Sequence, residues 1–138
     1  MEPKFRAWLT EDKLMSPVTS ITFFRGCMDV TMPPNKKVTK VNQVIKLMQS
    51  TGLKDKNGKE IFEGDIVKYK AGCNTFTEEV AYNKNFAGFG VVDADANIMF
   101  TFGELAAFIG LNSIEVIGNI YDNPELLEEE ITHSGKER

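Results

Sequence analysis

The chain has 138 residues, of which 42% are hydrophobic, 26% charged and 10% aromatic, with a formal net charge of −4. A chain of this size and composition buries a core without metal or disulfide support, which excludes a scaffold that depends on either. No apolar run reaches the roughly 18 to 20 residues that span a bilayer and Met1–Arg6 has no apolar leader, so a cytoplasmic protein with no membrane contact is expected.

The first strand is predicted at Phe5-Arg6-Ala7-Trp8, where Phe5 and Ala7 alternate with Arg6 and Trp8, followed by a polar turn over residues 9–13. Two apolar groups, residues 18–24 and 27–32, flank Arg25-Gly26 and predict a hairpin with Gly26 at its corner. Pro33-Pro34-Asn35 cannot supply ladder donors at its prolines, which predicts a loop over residues 32–37. Residues 41–48 carry apolar side chains at 41, 44, 45, 47 and 48, a spacing that fits a short helix running into a strand.

Asn57-Gly58, between strand-like flanks, predicts a hairpin or reverse turn, because both residue types accept positive φ. Glu63-Gly64-Asp65 makes a second corner. Beyond it residues 66–70 alternate, with Val67 and Tyr69 on one face and Lys68 and Lys70 on the other. Further short strands are predicted at 79–82, 89–92, 98–102 and 114–121, a spacing that favours a small barrel or sandwich over a βαβ fold. Helices are few: one at 104–109 closed by Gly110, and one at 124–131 with Asn123 as cap, Pro124 in the first position and Leu127 and Ile131 as its apolar stripe. The tail from Thr132 is expected to fray.

Charge is placed unevenly. Residues 1–60 hold 11 Lys and Arg against 6 Asp and Glu, a net of +5, whereas residues 61–138 hold 5 against 14, a net of −9. The acidic overall balance argues against a generic polyanion binder. The basic positions Lys36, Lys37, Lys40, Lys46, Lys54, Lys56 and Lys59 are nonetheless the best candidate binding surface. The surface assigned is Lys36, Lys37, Lys40, Lys54, Lys56 and Lys59, although no aromatic residue between Phe24 and Phe62 is placed to stack on bases.

Other motifs read as architecture. Asp93, Asp95, Asn97 and Glu104 have the spacing of a calcium loop, but Ile98 stands where the loop needs glycine and a strand precedes it where a helix is required, so no metal is expected. Glu63 and Asp65 are read as solvated turn acids. Gly88-Phe89-Gly90 has no phosphate-loop context and is read as a bulge or a close backbone approach. Cys27 and Cys73 have no C-x-x-C partner, and the single histidine, His133, lies in the tail; no disulfide, cofactor or nucleophilic triad is expected.

The run Thr51-Gly52-Leu53-Lys54-Asp55-Lys56-Asn57-Gly58-Lys59-Glu60-Ile61-Phe62-Glu63-Gly64-Asp65-Ile66-Val67 resembles the signature of the YopX family of phage and prophage proteins. Pro3-Lys4-Phe5-Arg6-Ala7-Trp8 and the block Glu115–Leu127 resemble the family's two ends, while Ser50 stands where an aromatic residue is more frequent. The resemblance implies an SH3-type barrel in the second part and brings no catalytic residues with it. The combined expectation is a mainly β protein with a few short helices: an N-terminal β portion over residues 1–60, ending in the Thr51–Gly58 turn, and an SH3-like barrel over 61–138 with a short C-terminal helix. Its expected role is that of a non-enzymatic protein-interaction module. The partners expected are a second copy, through the lysine-bearing first half and the acidic second half, and an unidentified host or phage protein. Nucleic-acid binding by the first half is the alternative, and a small enzyme the third reading.

Overall fold

The computed structural model describes residues 4–38, 45–93, 95 and 97–127. Its backbone separates into two compact units, residues 1–50 and 51–138. In the first, β1 (Phe5–Leu9) and β2 (Leu14–Pro17) form an antiparallel hairpin in which Leu9 faces Leu14. The other edge of β1 pairs with the start of a later strand, Leu9 facing Ile45 and Phe5 facing Gln49. A second sheet is built from β3 (Ser20–Phe24), β4 (Cys27–Met32) and β5 (Lys36–Val38), in that order. Alternation sends Val30 and Met32 of β4 and Val38 of β5 to the same side, where they bury with Ala7, Leu9 and Ile45.

The strand that follows, β6 (Ile45–Lys54), runs through the boundary into the second unit, where β7 (Glu60–Phe62) lies beside it. An antiparallel meander comes next: β8 (Asp65–Ala71), β9 (Asn74–Asn83), β10 (Gly88–Val92) and β11 (Ile98–Thr101). A helix α1 (Phe102–Phe108) and a 3-10 turn at Leu111–Ser113 lead to β12 (Glu115–Asn119), which returns to pair with β8. The sheet order is therefore β11-β10-β9-β8-β12, and the sheet curls into a half-barrel. Its core joins Val67 and Tyr69 of β8 to Val80, Val91, Phe102, Leu105, Ile114 and Val116, while Lys68 and Lys70 point outward. The mainly β fold class is thus the one expected.

One carboxylate fastens this unit together. Asp55 is buried, and its Oδ1 accepts the N–H groups of Asn57 and Lys59, both at 2.9 Å, while its Oδ2 accepts the N–H of Val116 at 2.9 Å. The same turn is tied to the last strand a second time, by Lys56 N–H donating to Ile114 O at 2.9 Å. Gly58 sits at φ +82 with open space around its α-carbon, so only the left-handed backbone asks for glycine there. Gly90 is glycine for a different reason: a Cβ would lie 2.5 Å from the Phe100 carbonyl oxygen of β11, and the register shifts between Val91 and Val92. Gly90 therefore marks the close backbone approach read from Gly88-Phe89-Gly90.

Two expectations are corrected, and a third is resolved: residues 45–48 are the start of a ten-residue strand, the strand into which the 41–48 spacing was expected to run. A spacing of 41, 44, 45, 47, 48 fits either period, and the ladder offered by β1 decides for the strand; residues 41–44 lie outside the described part. The predicted loop at 32–37 is shorter, because β5 begins at Lys36. The side chain of Asn123 turns back from the helix it was assigned to cap and accepts the Asn119 N–H at 3.2 Å. A helical turn does begin after it, with Leu126 N–H donating to Asn123 O, but Ile131 lies outside the described residues.

Burial pushes the Asp55 carboxyl up, yet the N–H groups of Val116, Lys59 and Asn57 and the Lys59 charge outweigh burial and hold it below the ordinary 3.8. Removing the carboxylate strands three amides, each worth about 1 to 3 kcal/mol when left without a partner, so Asp55→Ala should cost at least about 3 kcal/mol in urea unfolding. With a folded pKa below the unfolded one, the contribution is present above the unfolded value and lost as pH falls through the folded value. The stability gap between wild type and Asp55→Asn should therefore be full above about pH 5 and close in more acidic solution. A gap that is constant with pH would contradict this.

Candidate functional site

The β3–β4 hairpin closes through Arg25 at φ +50 and Gly26 at φ +76, the pair of left-handed residues that a two-residue turn between right-twisted strands requires. Alternation across this hairpin places Ile21, Phe23, Met28 and Val30 on one face and Phe24 and Cys27 on the other. Val30 is buried, but at the tip the apolar face has no cover: Phe23 is 75% exposed and Phe24, on the opposite face, 67%. The Arg25 guanidinium lies over the Phe24 ring, 5.2 Å from its centroid. A small basic, aromatic knob results.

The second unit carries an apolar hollow. Ala81 and Asn83 of β9, Gly88, Gly90 and Val92 of β10 and Ile98 of β11 share one sheet face and line a shallow apolar depression with Phe86 at its rim. The rim is held by local hydrogen bonds: Asn83 Oδ1 accepts from Asn85 and Phe86 N–H at 2.8 and 3.1 Å, which presents Phe86, 62% exposed. At the other end Asp93 Oδ1 accepts from Asp95 and Asn97 N–H, both at 2.9 Å, and closes the β10–β11 turn. The opposite sheet face continues outward as an aromatic series, Tyr82 edge-on to Phe89 and Phe100 edge-on to Phe108.

The sequence-assigned lysines do not form one bare cationic face. Lys36 pairs with Asp12 at 3.4 Å, Lys37 with Asp29 at 3.3 Å and Lys56 with Glu115 at 3.6 Å. Lys36 and Lys37 lie on β5 of the first unit, Lys54, Lys56 and Lys59 at the end of β6 and the turn after it in the second, and Lys40 falls outside the described residues. All five described lysines are exposed. Asp65 is not the solvated turn acid expected: it is buried, and its Oδ2 accepts the Phe62 N–H at 2.8 Å. The two end positions of the calcium-like spacing are also engaged, Asp93 in its turn and Glu104 in a capping box, where its carboxylate accepts the Thr101 N–H at 2.9 Å. Among the described residues no group of three or more His, Cys, Asp or Glu is placed to hold a metal, and both cysteines are exposed.

The residues singled out by the structure, Phe23, Phe24, Arg25 and Phe86, were read from sequence only as strand and turn. One signal was available. Two phenylalanines in succession before an Arg-Gly corner cannot both face a core in a two-sided strand, so one must meet solvent or a partner.

The family model described as YopX protein matches residues 4–128, and the chain belongs to that family. It is similar over 92% of its length, at 32% identity and a TM-score of 0.61, to the crystal structure of protein EF1440 from Enterococcus faecalis, 99% of which is covered. A second similar structure is protein yopX from Bacillus subtilis, at 24% identity and a TM-score of 0.58, covering 90% of this chain and 97% of that one; at this identity the likeness concerns the fold. No curated protein matches the chain. Among the described residues no helix is long and apolar enough to cross a membrane.

One acid–base pair inside the second unit has the composition of catalytic machinery. Tyr69 donates its hydroxyl hydrogen to Glu78 Oε1, and both residues are buried, with Phe76 stacked on the Tyr69 ring at 5.4 Å. Burial first, then the Glu78 carboxylate, push the phenol far above its usual 10.0, so it remains a hydrogen-bond donor throughout the physiological range. The pair sits in the core and not on the groove face, which makes its role the satisfaction of two buried polar groups. Because the folded pKa exceeds the unfolded one, its contribution to stability is full below about pH 10 and declines as pH rises beyond it. Ultraviolet titration should show Tyr69 ionising only with unfolding, and ionisation of Tyr69 near pH 10 in the folded protein would contradict this.

Proposed function

We propose that this YopX-family protein is a phage- or prophage-type, non-enzymatic interaction module that works through exposed aromatic surface and associates with itself. The observation that carries the reading is the number of large apolar side chains left in solvent: Phe23 and Phe24 on the hairpin tip, Phe86 at the groove and Phe108, 67% exposed, beyond α1. Single exposed apolar residues are ordinary, but clusters beside a groove mark surfaces that meet other molecules. Among the described residues β3 and β11 stand at sheet edges, which adds backbone donors and acceptors. Asp55, Asp65, Asp93, Glu104 and the Tyr69–Glu78 pair are committed to turns, caps and the core, which supports a binding role over catalysis.

The ion pairs on Lys36, Lys37 and Lys56 weigh against the alternative, a phosphate-binding face, since each lysine is already partly neutralised. Light scattering after size exclusion, across protein concentrations and from low to about 1 M salt, tests the reading. Association that weakens with salt and persists at the upper end is expected, because apolar contact is not screened. A monomer under every condition overturns self-association. Binding of labelled duplex DNA with a steep salt slope would favour the nucleic-acid reading instead.

A further inference from the structure

Glu79 of the second unit and Arg25 of the first lie beside apolar surface and, among the described residues, have no ion pair. Glu79 faces Val92 in the β9–β10 register, which puts its side chain on the groove face with Ala81 and Asn83. It is half-buried, and among the described residues its carboxylate has no ion pair or hydrogen bond; burial raises its pKa. A partly desolvated carboxylate is costly until a cation reaches it. Arg25 is the complementary case. It occupies a left-handed backbone position that glycine or asparagine adopts at less cost, and among the described residues its guanidinium meets only the Phe24 ring, with no carboxylate.

We propose that the hairpin tip of one copy, Phe23, Phe24 and Arg25, docks into the β9–β11 groove of a second copy, where Arg25 meets Glu79. The proposal rests on the self-association reading above and names its contact. Charge complementarity selects a second copy as the occupant. Residues 1–50, which carry the knob, hold 8 Lys and Arg against 4 Asp and Glu, a net of +4, and residues 51–138, which carry the socket, hold 8 against 16, a net of −8. The chemistry agrees: the aromatic ring lies across an apolar sheet face, and a guanidinium seated on that ring arrives beside a carboxylate. Knob and socket are different surfaces, so the contact is head-to-tail, or reciprocal between two copies.

Sedimentation velocity of the full chain tests the contact, with circular dichroism to verify the fold of each variant. Arg25→Glu and Glu79→Lys should each weaken self-association more than about tenfold, and the double variant should recover most of the loss. Phe23→Ser with Phe24→Ser, at exposed sites that the fold does not need, should abolish it. Should Glu79→Lys fail to fold, Glu79→Gln takes its place and is expected to weaken association without recovery by Arg25→Glu. Wild-type association unchanged in Arg25→Glu and in the double serine variant overturns the contact and leaves self-association standing. A wild-type monomer at every concentration overturns both, and a folded double charge variant no better than the single ones overturns the Arg25–Glu79 pairing.

Discussion

The second unit depends on a carboxylate that faces inward at the start of its own chain. Asp55 gathers N–H groups from its own turn and from Val116, 61 residues later, so the first turn and the last strand of the sheet are fastened by one side chain. A sheet in which the final strand must return beside the first needs such a fastener, because closing a long segment costs entropy before any contact made by β12 repays it. The buried charge is tolerable there because each hydrogen bond it accepts favours the ionised form. Once β12 lies against β8, Ile114 and Val116 complete the core against Val67 and Tyr69, and the meander outside them is free to carry surface features.

Those surface features are made by the same means as the fold. An Asx turn at Asn83 raises Phe86, and a turn of two left-handed residues projects Phe23 and Phe24. None of these devices adds to the cores. The hairpin tip in particular combines a left-handed arginine with exposed aromatic rings.

Much of the fold was legible in the sequence. The alternation of Val67 and Tyr69 with Lys68 and Lys70, the Arg25-Gly26 corner and the Asn57-Gly58 turn are local facts, and each maps onto its predicted element. What depended on distant partners was not legible. The strand at 45–54 exists because β1 offers a ladder, and Asp65 is buried because the corner folds its carboxylate onto Phe62 N–H. The lysines stood out in the sequence through their number, yet ion pairing is set by Asp12, Asp29 and Glu115, which no local pattern relates to them. Groove and knob were hidden for a similar reason: exposure of Phe23, Phe24 and Phe86 follows from where the strands end, and phenylalanine in a strand-like run reads as core.

The central claim is that the hairpin tip and the β9–β11 groove are surfaces that meet. Amide hydrogen exchange by mass spectrometry, at protein concentrations well below and well above the association midpoint, tests it directly. The account predicts that slowing with concentration concentrates at residues 20–28 and 79–101 and leaves the core strand β8 and the Asp55 turn unchanged. Slowing confined to other segments, or exchange independent of concentration throughout, would contradict it.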